Sequence, residues 1–273
     1  MRSVASVIAG VVATVVAIVT VPILWVSVHV ADEDGYVELS SRLAADPELQ
    51  AAFAAYLTDD FVQRGTLPGS VQDLATRALT AAMQTTTNQP GFVEAWEQTQ
   101  RGLHASAFGD ASGPIVVNVT PMANFVADRV TDQVPVSLRL DSALPVQLGT
   151  AQDREQLSWV DESRTLGLIG LAIILVASAV CLLAARSRPL ALAGLGLGTL
   201  VAAGVLWLLA AEVAPRFVDE TSTASEFARS LQRLLIDRGA DSLTGWLEPL
   251  AMIGCAAVLL GLAGHVVSGR DDR

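Results

Sequence analysis

The 273-residue chain has no lysine, two cysteines and little charge; 16% of its residues are charged, where a soluble globular domain carries about 25%. The charge deficit excludes an ordinary soluble domain for the chain as a whole and points to a membrane protein. The shortage of cysteine excludes a disulfide scaffold. Cys181 and Cys255 both lie in apolar runs and the hydrophilic stretch 31–163 has none, so that stretch must be held by packing. Both cysteines read as small apolar packing residues. The missing lysine says less. All 17 basic residues are Arg, a usage that a GC-rich bacterial genome produces and that surface chemistry does not demand.

Motifs that carry chemistry are missing too. A metal site needs clustered His, Cys and carboxylates. His104 has no second His at ligand spacing, and His29 stands at the edge of the hydrophilic stretch, so His104 reads as a packed or capping residue. "DEDG" (32–35) lacks the regular alternation and the twelfth-position ligand of a calcium loop. No G-x-S-x-G, P-loop or dinucleotide fingerprint occurs. Asp59 and Asp60 are neighbours, so on a helix they diverge by about 100° and read as a solvated face, not an acid/base pair. "NVT" (118–120) matches a glycosylation sequon by chance composition. The chain therefore offers no catalytic, cofactor-binding or metal-binding residue, and the expectation is that it is not an enzyme and takes no cofactor.

What the chain has is long apolar runs. Crossing about 30 Å of hydrocarbon takes ~20 helical residues. Four stretches qualify: Val4–Val28, Leu166–Ala185, Leu190–Ala211 and Leu247–Val267. The first is longer than the ~7–15 residues of a signal-peptide core, and "SVHVADED" lacks a clean small-x-small cleavage site, so it reads as a retained anchor, kinked at Pro22. Glu248 and His265 sit at the two ends of the last span, where both can reach the interface. No span carries a charge near its centre, which disfavours an ion-coupled transporter. Gly194 and Gly198, four apart, share a helix face, as do Gly254 and Gly261, and predict close packing of the third and fourth spans.

Arginine placement orients the spans. Arg2 precedes the first, Arg186 and Arg188 fill the "RSRP" connection, and Arg270 and Arg273 follow the last. The positive-inside tendency puts these in the cytoplasm, with both termini. Residues 31–162 carry 19 Asp and Glu against 7 Arg. This excess disfavours nucleic acid and anionic surfaces as partners of that region. The expected organisation is a first transmembrane helix over 1–30, an extracytoplasmic domain over 31–163, spans over 164–186 and 187–211, an extracytoplasmic amphipathic helical loop over 212–246, and a last span with its cytoplasmic tail over 247–273.

The hydrophilic domain begins helical. Tyr36, Leu39 and Leu43 recur at helical spacing, and Asp46-Pro47 restarts a helix as cap and first residue. Leu49, Phe53, Leu57 and Phe61 form one stripe, stopped at Gly65. A third helix opens at Ser70 with Val71, Leu74, Ala78 and Leu79 as its apolar face; Phe92, Trp96 and Leu103 mark a fourth, to Phe108. "PIVVNVT" (114–120) and "VPVSLRL" (134–140) read as short strands with a helix between them, an order that suits a parallel or mixed pair. "AQDREQLSWVDESR" reads as a polar helix running into the second span. The fold class is thus a mainly α membrane protein: four transmembrane helices plus a mostly helical α+β extracytoplasmic domain with a small two- or three-stranded sheet.

The Tyr-Val start, "LAADPELQ", "W…GLHASAFG", the "VVNVTP" strand and three later spans resemble a group of uncharacterised actinobacterial four-span integral membrane proteins with an extracytoplasmic domain between the first and second spans. The likeness covers most of the chain, implies the same topology and brings no catalytic residue with it.

Two segments also match each other. "AFAAYLTDDFVQRG" (52–65) and "EFARSLQRLLIDRG" (226–239) pair Phe53 with Phe227, Leu57 with Leu231 and Gly65 with Gly239. Residues 50–65 and 224–239 are either an internal duplication or two amphipathic helices of like design. The second starts at a capping box, Thr223-x-x-Glu226, and its Phe227, Leu231, Leu234 and Leu235 must pack on the domain or lie on the membrane surface. The function that follows is a cell-membrane, multi-pass protein displaying an acidic binding or scaffold domain. Its partners are the lipid bilayer and an envelope protein or lipid ligand, not nucleic acid. The alternatives are an accessory subunit of an envelope transport or lipid-export assembly, and a membrane enzyme acting on envelope lipids through a polar cluster such as Glu212, Arg216 and Glu248.

Overall fold

A computed structural model describes residues 2–64, 68–86, 89–109, 113–131, 143–157, 160, 162–219 and 225–271. The chain is mostly helical and divides into two compact units. The first comprises Met1–Val30, Val160–Pro215 and Gly239–Arg273; the second, Ala31–Trp159 and Arg216–Arg238.

The first unit is built from α1 (Arg2–Val26), α8 (Ser163–Ala184), and the parts of α9 (Arg188–Asp219) and α10 (Glu226–Asp271) that fall within it. The chain has four helices long and apolar enough to cross a membrane. Their large apolar side chains point outward: Val7 is 67% exposed, Leu183 69% and Met252 73%. That is the inverse of a water-soluble bundle, and it suits a hydrocarbon surrounding.

Small residues set the packing. α1 lies along α8, where a Cβ on Gly167 would meet Leu24 at 2.6 Å. Ser6 Oγ donates to the Cys181 carbonyl at 2.8 Å. α9 meets α10 through Gly196, whose added Cβ would stand 2.6 Å from the Gly254 carbonyl oxygen, and through Gly261, 2.5 Å from that of Pro189. This corrects the expected role of Gly194 and Gly198. Gly198 faces Thr14 of α1, and a Cβ on Gly194 would meet nothing within 4 Å. Residues two apart on a helix lie about 200° around its axis, so the glycines of "GLGLG" serve two faces. Gly254 and Gly261 do face α9.

Both later helices outrun their apolar stretches. α9 continues to Asp219, and α10 is one helix from Glu226 to Asp271 with Pro249 inside it. Hydropathy marks where a helix can cross a membrane; helix propagation stops only where backbone or capping stops it, and no proline lies between Glu226 and Glu248. Pro22 likewise sits inside α1, which passes into a π-helical turn over Ser27–Ala31. In that turn His29 stacks on Trp25 (5.3 Å, 13°) and meets Trp246 edge-on (5.3 Å). Trp25 Nε1 donates to Ser242 Oγ at 3.2 Å. An apolar ring body with a hydrogen-bonded polar tip is what a membrane–water interface selects.

The second unit carries the soluble-type core: α2 (Glu33–Ser40), α3 (Pro47–Gln63), α4 (Gln72–Thr86), α5 (Pro90–Phe108), α6 (Thr120–Thr131) and α7 (Ala151–Gln156), with strands β1 (Ile115–Asn118) and β2 (Pro145–Gly149). Asp46 starts α3, its Oδ1 accepting from Glu48 N (2.9 Å) and Leu49 N (3.2 Å), with Pro47 in the first turn. The Leu49–Phe53–Leu57–Phe61 stripe is buried, as its spacing requires. Phe92, Trp96, Met83, Val117, Val126, Phe227 and Leu231 close the same core.

Four expectations change here. β1 pairs antiparallel with β2, Val117 opposite Val146; the expected strand at 134–140, like the Gly65 stop, lies outside the described residues. A parallel pair needs a long crossover, usually a helix, whereas an antiparallel pair merely permits one, and α6 occupies that connection packed on α4 and α5. The buried face of α4 is Leu79, Ala82, Met83 and Thr86, whereas Leu74 is 62% exposed. The hydrophobic side chains at the start of that helix lie on its outer side. α7 ends at Gln156 in a turn at Leu157 rather than running into α8. For α10 the described cap is Ser225, whose Oγ accepts from Ala228 N at 3.1 Å; Thr223 is outside the described residues.

Candidate functional site

In the second unit the start of α10 lies against α3. Phe227 stacks on Tyr56 (5.8 Å) and tilts against Phe53 (5.0 Å, 47°). Arg233 reaches Glu48 at 3.1 Å, and Gln232 Nε2 donates to the Leu148 carbonyl of β2. The apolar face of residues 227–235 therefore packs on this unit's core. Beside this contact opens a cleft of about 390 Å³ lined by Tyr56, Asp59, Asp60, Gln63, Glu226 and their neighbours.

The cleft brings together what spacing alone separated. Tyr56, Asp59, Asp60 and Gln63 stand at i, i+3, i+4 and i+7 of α3, one helix face. Asp59 and Asp60 both border the cleft because it wraps around that face. Asp60 pairs with Arg64 at 2.6 Å, and Asp59 accepts from Gln72 Nε2. Burial pushes the Tyr56 phenol above its ordinary value, the Asp60 charge pushes it further, and Arg64 opposes both. Asp59, Asp60 and Glu226 make the cleft acidic, and such a surface attracts cations.

The other singled-out residues serve structure. Asp32 caps α2, its Oδ1 accepting from Gly35 N at 2.9 Å, and Glu33 and Asp34 both pair with Arg101. These hydrogen bonds hold the Arg101 guanidinium even more firmly protonated than usual. "DEDG" is thus a cap and an ion-pair cluster. His104 Nε2 donates to the Ala31 carbonyl at 3.2 Å, and its ring packs on Phe108 and Tyr36. Tyr36 Oη donates to Gln100 Oε1 at 3.2 Å, and burial raises the Tyr36 phenol far above its ordinary value. Asn118 Oδ1 accepts from Thr120 N and Oγ1, tying the end of β1 to the start of α6.

No family model, curated protein or solved structure matches the chain. Among the described residues no group of three or more His, Cys, Asp or Glu is placed to hold a metal ion. The polar trio Glu212, Arg216 and Glu248 falls partly outside the described residues. The first two side chains lie outside the described residues, and Glu248 borders an apolar groove with Trp207, Leu200 and Leu247. Sequence reasoning missed Tyr56 and the Phe53–Phe227 contact, although Tyr56 shares the helix face of Asp59, Asp60 and Gln63.

Proposed function

We propose that the chain is a multi-pass cell-membrane protein whose acidic second unit stands outside the cytoplasm as a binding or scaffold domain for a cationic segment of an envelope protein. One observation carries this reading: the charge is segregated. The second unit holds 21 Asp and Glu against 11 Arg, the first 7 against 6. The first unit's surface is apolar, and the arginines of its short connection and termini favour the cytoplasm for that end. The second unit has its own core, so its negative surface is presented by a folded body, and the cleft beside Phe227 concentrates three carboxylates. The resemblance to actinobacterial four-span proteins agrees with this topology.

Single-cysteine accessibility tests the reading. With Cys181 and Cys255 replaced, Gln147→Cys in intact cells reacts with a membrane-impermeant maleimide and Ser187→Cys does not until the membrane is opened. Labelling of Ser187→Cys alone would place the acidic unit in the cytoplasm and end the proposal.

A further inference from the structure

The first unit contains an apolar groove of about 560 Å³ between α1 and α9, opening at the turn that joins α8 to α9. Ligand sites have volumes of roughly 300–1,000 Å³. Val7, Val11 and Val15 line one side, Leu190, Leu197 and Val201 the other. Of the four hydroxyls in its lining, two are satisfied within the chain: Thr14 Oγ1 donates to the Gly10 carbonyl at 3.1 Å and Ser6 Oγ to that of Cys181 at 2.8 Å; the other two belong to Ser3, at the start of α1, and Ser187, in the turn between α8 and α9. Between the valines of α1 and the leucines of α9 an occupant meets hydrocarbon.

Gly194 lines this groove, and no neighbouring atom explains its missing side chain, because a Cβ there would meet nothing within 4 Å. Glycine within a helix is about 1 kcal/mol worse than alanine. What Gly194 keeps is the width of the groove.

The mouth is charged. Arg186 belongs to the lining, and two residues on Arg188 lines a second groove of about 430 Å³, with Leu182, Leu183, Pro189 and Leu192. Neither guanidinium has a carboxylate partner among the described residues. Two cations thus lie two residues apart at the connection between α8 and α9, each lining its own apolar slot. A phosphate with two acyl chains matches that arrangement in charge and in the number of slots. A docked helix would match only if it brought a carboxylate to the same place.

We propose that these grooves bind one anionic phospholipid, with its phosphate on Arg186 and Arg188 and an acyl chain along Gly194 between α1 and α9. The inference rests on the membrane reading of the first unit and is independent of which side the second unit occupies.

The test is native mass spectrometry of the full chain released from nanodiscs of equal phosphatidylglycerol and phosphatidylcholine. The expected result is one retained phosphatidylglycerol in preference to phosphatidylcholine. A Cβ at Gly194 meets nothing within 4 Å, so Gly194→Leu extends into the open groove and abolishes the preference with helix content unchanged. Arg186→Gln with Arg188→Gln lowers retention roughly tenfold or more. Because removing both charges also weakens orientation in the membrane, Gly194→Leu decides the matter. Equal retention of both lipids overturns the site, as does a Gly194→Leu protein that keeps its phosphatidylglycerol. A dimer that Gly194→Leu dissolves would assign the groove to a helix of a second copy and overturn the lipid proposal. Any of these outcomes in a protein that stays embedded leaves the membrane reading intact.

Discussion

Phe53 of α3 and Phe227 of α10 meet at 5.0 Å between ring centroids, inclined at 47°, and both are at most 2% exposed. They are the residues that the offset between the two like segments pairs with each other. Through this contact a segment that follows the third apolar helix completes the core of a unit otherwise built from residues 31–159.

Truncating Phe227 to Ala removes a buried ring from that core, and such changes cost about 3–5 kcal/mol. Chemical denaturation of the full chain in detergent should show a correspondingly lower midpoint. Val93, 41% exposed, provides the comparison, since surface substitutions stay within roughly 0.5 kcal/mol. Equal effects of Phe227→Ala and Val93→Ala would show that the segment does not belong to the core.

Asp46→Ala deletes the acceptor for Glu48 N and Leu49 N. The expected loss is about 1 kcal/mol, with Asp46→Asn largely restoring it because Asn caps as well as Asp. A full loss in Asn would mean that the carboxylate acts through charge rather than as a cap.

Gly196→Ala forces a Cβ to within 2.6 Å of the Gly254 carbonyl oxygen and 2.8 Å of Val258 N. Backbone atoms cannot swing aside, so α9 and α10 must separate. A lower melting temperature in detergent for Gly196→Ala than for Gly194→Ala is the expected result, and identical melting would contradict the close approach.

The chain has two tyrosines, and both phenols are raised above the ordinary value of 10.0 by burial. A group that holds its proton more tightly when folded lends stability in full below pH 10 or so, and that stability is lost as pH rises through its folded value. Tyrosinate absorbance should therefore stay low around pH 10 and rise with unfolding above it, while Tyr36→Phe shifts the alkaline unfolding upward. Ordinary titration at pH 10 in the folded protein would show the two rings to be solvated.

Much of this protein is legible in one dimension because its signals are local. Long uncharged runs yield helices long enough to cross a membrane, because every backbone group in hydrocarbon must be satisfied within its own segment. The α3 stripe and its Asp46-Pro47 start follow from helical period and capping, which involve residues within a turn of each other. Charge segregation is visible by counting.

Tertiary structure decided the rest. The alternation of "PVQLG" is too short to mark a strand by itself, and pairing with Ile115–Asn118 makes it one. The acidic cleft needed Glu226 and Phe227 to arrive beside α3 from more than a hundred residues away. The glycines of "GLGLG" show the division most plainly. Their presence and spacing are sequence; that Gly196 touches a backbone, Gly198 a threonine and Gly194 nothing depends on which helix lies across each face. Small residues permit close approach without naming the partner, and the partner is chosen by packing over the whole bundle.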